Sequence, residues 1–247
     1  MNAIKFENVN AKYKNSHELV LKNANLTIEE GEMIAIIGLS GAGKTTIFNS
    51  ILRQLDIVTG QILVNEKNIL DYSKKQWKRT LKTIGYLSQS PNLIEDLNVY
   101  ENILLFYSKY KNILCSLFKH LTKTQRKEVF TILGELDLFE KAFTKVSELS
   151  GGQKQRVEIA KLLLEEVSII LADEPTSNLD IKTAMDVLEI LKQINKKYNK
   201  TIIINIHDLT LLKKYFNDFI FVKDGQIICR DSVQNLTAKR KKELFTL

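Results

Sequence analysis

Two stretches near the start of the chain alternate apolar and polar residues. From Ile4 to Tyr13 and again from Leu19 to Ile28 the period is two, which predicts two half-buried strands forming an antiparallel flap. Glu30-Gly31 breaks the pattern. Met33 to Ile37 is a continuous apolar run ending at Gly38, the signature of a strand covered on both faces in a parallel sheet. A glycine-rich loop follows, then a helix predicted from Lys44 to about Arg53. Thr83 to Leu87, Ser168 to Ala172, Thr201 to Ile206 and Phe219 to Val222 repeat the buried-strand pattern, separated by segments of helical spacing. Ala184, Val187, Leu188, Leu191 and Ile194, for instance, share one helix face.

Strands alternating with helices predict an α/β fold with a mostly parallel core sheet covered on both faces. Between about Pro91 and Val146 strand signals fade, and Val129, Ile132, Leu133 and Leu136 fall at helical spacing. That segment is expected to be a helical subdomain inserted into the core. With only two prolines and no Gly/Ser tract, the chain is expected to be one domain over residues 1–247, its core built from 1–90 and 147–247 and its helical part from 91–146.

Candidate chemistry gathers at strand ends. Gly38-Leu39-Ser40-Gly41-Ala42-Gly43-Lys44-Thr45 fits the phosphate-loop pattern GxxxxGK[ST] between a buried strand and a helix. In a chain of this composition the pattern arises by chance roughly 0.006 times. Its glycines let backbone N–H groups curl around phosphate oxygens, and the helix N-terminus adds partial positive charge. Gly38, Ser40, Gly41, Ala42, Gly43, Lys44, Thr45 and Thr46 are the expected phosphate contacts, with Lys44 reaching the β- and γ-phosphates and Thr45 ligating Mg²⁺. Ile169 to Glu174 is a buried strand ending in two acids. Beside a phosphate loop, Asp173 can hold Mg²⁺ and Glu174 can polarise the attacking water. Leu149-Ser150-Gly151-Gly152-Gln153 opens a helix running to about Leu164, a second helix start suited to anions.

Composition narrows the setting. Hydrophobic residues are 44% and charged residues 26%, ordinary globular values that exclude a disordered chain. The net charge is +7, but 30 of the 36 basic residues are Lys, a poor composition for bidentate recognition of guanine or phosphate, so no nucleic-acid partner is expected. No apolar run reaches the roughly 18 residues of a membrane span, and the first residues lack a signal-peptide stretch, so the chain is expected to stay in the cytoplasm. Only Cys115 and Cys229 are present, which disfavours a disulfide framework.

Taken in order, these motifs resemble those of the nucleotide-binding subunits of ABC transporters over essentially the whole length. Gln89 matches the family's Q-loop position, Ser177-Asn178-Leu179-Asp180 its D-loop, His207 its switch histidine, and Tyr13 its adenine-stacking aromatic. The resemblance implies an ATPase using ATP and Mg²⁺, with Lys44, Glu174, His207 and Gln89 catalytic and Gln89 also near the metal. It implies an ATP-dependent homodimer in which Ser150, Gly151, Gly152, Gln153 and Asp180 complete the partner copy's site. Membrane permease subunits would dock near Pro91 to Glu101, placing the protein peripherally on the cytoplasmic face of the membrane, with a solute-binding protein as an indirect partner. Leu93, Ile94, Leu97 and Val99 are candidates for that docking groove or for subdomain core.

Within the family the chain is most similar to phosphonate-type importer ATPases and to the ATPase of the mycoplasma high-affinity transport system. The implied cargo is a phosphonate, a phosphate ester or a phosphorylated cofactor such as thiamine pyrophosphate. An exporter of the lipoprotein or peptide type shares every catalytic motif, and a non-transport ABC ATPase is the more distant alternative. Asn178, where Ala is common, and Lys161, where Arg is common, depart from the family pattern. The segment Leu104 to Lys123 mixes Phe106, Tyr107, Tyr110 and Phe118 with lysines, a mixture that can bind nucleic acid or lie near lipid headgroups but is more often an amphipathic helical hairpin with snorkelling lysines. The run Lys239 to Lys242 is expected to be a solvated helix face, with a weak contact to anionic lipid as the lesser alternative.

Overall fold

A computed structural model describes residues 1–117, 119–165 and 167–246; Phe118 lies outside them. The parallel strands are β3 (Met33–Ile37), β6 (Ile84–Leu87), β7 (Ile169–Asp173), β8 (Thr201–Asn205) and β9 (Asp218–Lys223). With the antiparallel edge strand β10 (Gln226–Ser232) they form one sheet in the order β10-β9-β3-β8-β7-β6. The flap is a second sheet, ordered β2-β1-β4-β5, made by β1 (Asn2–Tyr13), β2 (Leu19–Glu29), β4 (Leu55–Val64) and β5 (Lys67–Asn68). The α/β class is as expected from the sequence.

The strand pattern explains the layers. Along β3, Ile34 and Ile36 join the core shared with the flap, whereas Ala35 and Ile37 join the core on the other face. A strand with two buried faces has no polar position to spare, hence the unbroken apolar run. α1 (Lys44–Ile51) lies on the flap side, whereas α6 (Gly151–Leu164), α7 (Ile181–Tyr198) and α8 (Leu209–Tyr215) cover the opposite face. α2 (Lys74–Leu81) is opened by a Ser73/Gln76 capping box, and α9 (Ala238–Thr246) ends the described chain.

Three features escape the pattern. β4 carries Gly60 at φ +78°, where an added Cβ would stand 2.3 Å from the Glu7 carbonyl oxygen, and a register shift between Glu7 and Asn10 breaks its alternation. β10 is an edge strand with no fully buried residue, so it lacks the apolar run of its neighbours. α1 stops at Ile51, short of the expected Arg53, because Arg53 takes a left-handed φ of +57°.

Residues 91–146 carry α3 (Val99–Phe106), α4 (Ile113–Leu117) and α5 (Lys123–Glu135). α3 and α5 both begin with capping boxes, Asn98/Glu101 and Thr122/Gln125. The buried Asn102 donates to the carbonyls of Ile94 and Asn98 and accepts from the Ile94 N–H, fastening the loop ahead of α3. Of the two readings of the docking candidates, subdomain core holds for Val99, which is fully buried, and for Leu93, which packs against core; of the four only Ile94 ranks among the exposed large hydrophobics. Among the described residues no helix is long and apolar enough to cross a membrane.

Candidate functional site

The phosphate loop links β3 to α1. At Gly38 an added Cβ would stand 2.3 Å from the Val222 carbonyl oxygen, and Gly41 and Gly43 adopt φ values of +77° and +106°, so the loop's path needs glycine at these positions. The loop is also held from outside. Gly225, in the turn between β9 and β10, donates its N–H to the Ala42 carbonyl at 2.9 Å and accepts from the Lys22 N–H at 2.9 Å. Lys44 is only 5% exposed and its Nζ donates to the Gly38 and Leu39 carbonyls, each at 3.1 Å. Burial lowers its ammonium below the ordinary lysine value, while Glu174 and Asp173 oppose the shift.

Three elements converge on Asp173 at the end of β7. Thr45 Oγ1 of α1 donates to Asp173 Oδ1 at 3.1 Å, Asn205 Nδ2 of β8 donates to the same oxygen at 2.7 Å, and the Tyr86 hydroxyl of β6 donates to Oδ2 at 2.9 Å. Burial, then the bond to Asp173, raises the Tyr86 hydroxyl above its ordinary value, which keeps it a donor. The Asn205 Oδ1 is buried without a partner. Next in sequence, Glu174 stands in left-handed backbone at φ +51° and its Oε1 lies 2.5 Å from His207 Nε2. Glu174, Ser177, Leu179, Asn205 and His207 line a cavity of about 260 Å³.

Does this set suit a nucleotide with Mg²⁺? A threonine hydroxyl and a carboxylate side by side are oxygen donors of the kind a hard cation takes, together with substrate phosphates. Among the described residues there is no cluster of three or more His, Cys, Asp or Glu able to cage a metal alone. The donor set therefore fits a cation shared with a phosphate-bearing ligand.

The second helix start forms a separate group. Ser150 caps α6, its side chain accepting from the Gln153 N–H while Gln153 Oε1 accepts from the Ser150 N–H. At Gly152 an added Cβ would strike Thr183 Cγ2 at 2.2 Å, so α6 begins pressed against α7. Thr183 in turn donates to Asp180, the N-cap of α7, from its N–H at 3.0 Å and its hydroxyl at 2.6 Å. Those bonds hold the Asp180 carboxyl below its ordinary value. Among the described residues no hydrogen bond joins Ser150 or Asp180 to the Lys44–Asp173 group. Tyr13 ends β1 opposite Leu55 and is 42% exposed. The Gln89 side chain is exposed just after β6.

Sequence reasoning passed over how the segment around Gln89 is held. Gln155 of α6, only 2% exposed, donates Nε2 to the Ser88 and Gln89 carbonyls at 3.2 and 3.4 Å, while its Oε1 is buried without a partner. Two turns further along α6, Lys161 donates to the Asn92 carbonyl at 3.2 Å and pairs with Glu158 at 2.8 Å, and its Nζ lies 3.7 Å from the centre of the Phe106 ring. Burial raises the Glu158 carboxyl, and Lys161 opposes that rise. One helix thus grips residues 88–92 at both ends. Tyr86 and Asn205 were also passed over, although a polar residue closing the run Thr201-Ile202-Ile203-Ile204-Asn205 is a legible signal.

A glycine-rich phosphate loop before a helix, with two acids at the end of a neighbouring parallel strand, defines a nucleoside triphosphatase of the phosphate-loop class. Residues 21–177 match the family model described as ABC transporter, and the chain belongs to that family, as an ATP-binding subunit that hydrolyses ATP. It is 36% identical over 226 residues to the protein of Mesomycoplasma hyorhinis called "Probable ABC transporter ATP-binding protein p29", covering 92% of this chain and 90% of that one. It is also 36% identical over 242 residues to the phosphonates import ATP-binding protein PhnC 1 of Halalkalibacterium halodurans, covering 98% and 94%. Among solved structures, cbiO1 from Clostridium perfringens, part of the ABC transporter complex cbiONQ, superposes with a TM-score of 0.84 at 29% identity over 98% of this chain and 95% of that one. The dimeric cassette MJ0796 bound to ADP and Pi superposes with a TM-score of 0.77 at 33% identity over 93% and 98%.

Proposed function

We propose that this subunit energises an ABC importer as an ATP-dependent homodimer, with a phosphonate, phosphate ester or phosphorylated cofactor as cargo. The observation that carries the dimer is the division of the site: Lys44, Asp173, Glu174 and His207 lie together, while Ser150 and Asp180 form a second group that, among the described residues, no hydrogen bond ties to them. Two copies related by a two-fold axis bring the second group of each over the first group of the other. The dimeric MJ0796 cassette supports this arrangement.

Bound MgATP supplies the γ-phosphoryl group, with the cation neutralising charge that develops on it. Lys44 and the loop N–H groups would hold the phosphates, and Thr45 and Asp173, with Gln89, would hold the cation. His207 Nε2 fixes one oxygen of Glu174, leaving Oε2 to take the proton of the attacking water. Ser150, Gly151, Gly152 and Gln153 of the second copy present a helix N-terminus to the γ-phosphate. Tyr13 offers its exposed ring for stacking on the adenine.

Import and cargo class rest on the likeness to PhnC proteins over nearly the whole chain. A permease needs a docking face, and the helical part offers one: Tyr100 stacks on Phe130, which contacts Phe139 and Phe143, and the last two are 55% and 70% exposed. Docking there would hold the protein on the cytoplasmic face of the membrane. Co-purification from the native membrane tests the reading. Recovery of permease subunits with a solute-binding protein is expected. A permease with a large extracellular domain and no binding protein would make the system an exporter, and recovery of ribosomes or repair factors without any permease would overturn transport altogether.

A further inference from the structure

Helix α4 buries none of its residues, and its three large apolar side chains, Ile113, Leu114 and Leu117, are 87%, 66% and 72% exposed. A short helix does not stand with its aliphatic face in water for its own sake, because such a face gains nothing until it is covered. The charge around it is one-sided. From Asn102 to Lys127 the sequence holds no Asp or Glu and six basic residues: Lys109, Lys111, Lys119, Lys123, Arg126 and Lys127. Lys109 is engaged by Glu128 at 3.2 Å, while Lys111 and Lys119, which bracket α4, are exposed.

We infer that α4 is a membrane-contact element that sets its aliphatic face among the acyl chains of an anionic lipid surface, with Lys111 and Lys119 at the headgroup phosphates. Lysine suits that boundary, its methylene stem lying against apolar surface while the ammonium stays with the anions. The absence of any acid over 26 residues matches a continuous negative surface better than a protein groove, whose rim carries both signs. The aromatic face around Phe139 and Phe143 is a distinct apolar surface, available to a protein partner. The inference does not depend on the direction of transport or on the cargo.

The test uses the full chain and vesicles of phosphatidylcholine, with or without phosphatidylglycerol, read by co-sedimentation. Wild-type protein is expected to bind the anionic vesicles, and I113S/L114S/L117S, which keeps every charge, to bind them at least about tenfold more weakly. ATP turnover of the triple variant should match wild type, showing that it is folded. Leu114→Trp adds a second indole to the chain's buried Trp77, and the emission of the added indole should shift to the blue on anionic vesicles only. The inference is overturned if wild type does not bind, if the triple variant binds equally well through its net charge alone, or if the Leu114→Trp emission is unmoved by vesicles. It also fails if the triple variant keeps vesicle binding but loses a co-purifying protein.

Discussion

His207 Nε2 meets Glu174 Oε1 at 2.5 Å, and the backbone that aims Glu174 there is left-handed, at φ +51°. A non-glycine residue in that region is held by its surroundings: the Ser177 N–H and hydroxyl both bond the Glu174 carbonyl, at 3.2 and 3.0 Å. Glu174→Gln keeps the shape and removes the proton acceptor. ATP turnover should fall by at least about 100-fold while ATP binding persists, leaving an ATP-bound dimer visible by size-exclusion chromatography. Wild-type turnover in this variant would remove Glu174 from the role of base.

Tyr86→Phe removes one of the donors that orient Asp173 without opening a cavity. A carboxylate that ligates a cation loses affinity when its supporting bonds go, so the Mg²⁺ concentration for half-maximal turnover should rise about tenfold. A magnesium titration of the ATPase rate reads this directly. An unchanged midpoint would reduce Tyr86 to packing, where it meets Phe48 edge-on.

Gln155→Leu cuts the amide tie between α6 and the carbonyls of Ser88 and Gln89. Its Oε1 has no partner in the native state, so losing that atom offsets part of the lost bonds and stability should change by only about 1 kcal/mol. Turnover should fall about tenfold with nucleotide affinity retained, because Gln89 loses its anchor while the phosphate loop is untouched. Equal losses in turnover and in thermal stability would mean that the tie is merely structural.

Lys161→Met leaves Glu158 buried without its cation. The folded-state value of the Glu158 carboxyl, already raised by burial, then climbs further above its unfolded value. Unfolding releases the charged form to water, so the variant should lose stability as pH rises, by about 3–5 kcal/mol near neutrality, and much less at acid pH where the carboxyl is protonated in both states. Urea unfolding over about pH 4 to 8 measures the slope. Lys161→Met/Glu158→Gln should recover much of the loss; a deficit equal at all pH values would exclude the buried pair as its cause.

Short linear patterns were the legible part of this chain. Lys44, Thr45, Asp173, Glu174 and His207, read at strand and helix ends, lie together in space because parallel β3, β7 and β8 all end at the same edge of one sheet. Tertiary context hid the rest. β4 lost its alternation to a bulge at Gly60, and β10 is an exposed edge strand. Nothing in the linear pattern distinguishes Gln155 from its polar neighbours on α6, and only folding brings it to the Gln89 segment, 66 positions away in sequence. For Leu93 and Val99 the apolar pattern left groove and core equally open, and only the turn of the chain around Asn102 assigns them to the core.

The grip of Gly225 on the phosphate loop has a thermodynamic reading. A free glycine-rich segment samples many shapes, and fixing each residue costs about 1–2 kcal/mol in conformational entropy. Here the β9–β10 turn, itself bonded to β2 through Lys22, holds the loop at Ala42. Folding has already met the ordering cost, so nucleotide capture starts from a loop whose amides are arranged in advance, and the flap works as the brace that keeps them so.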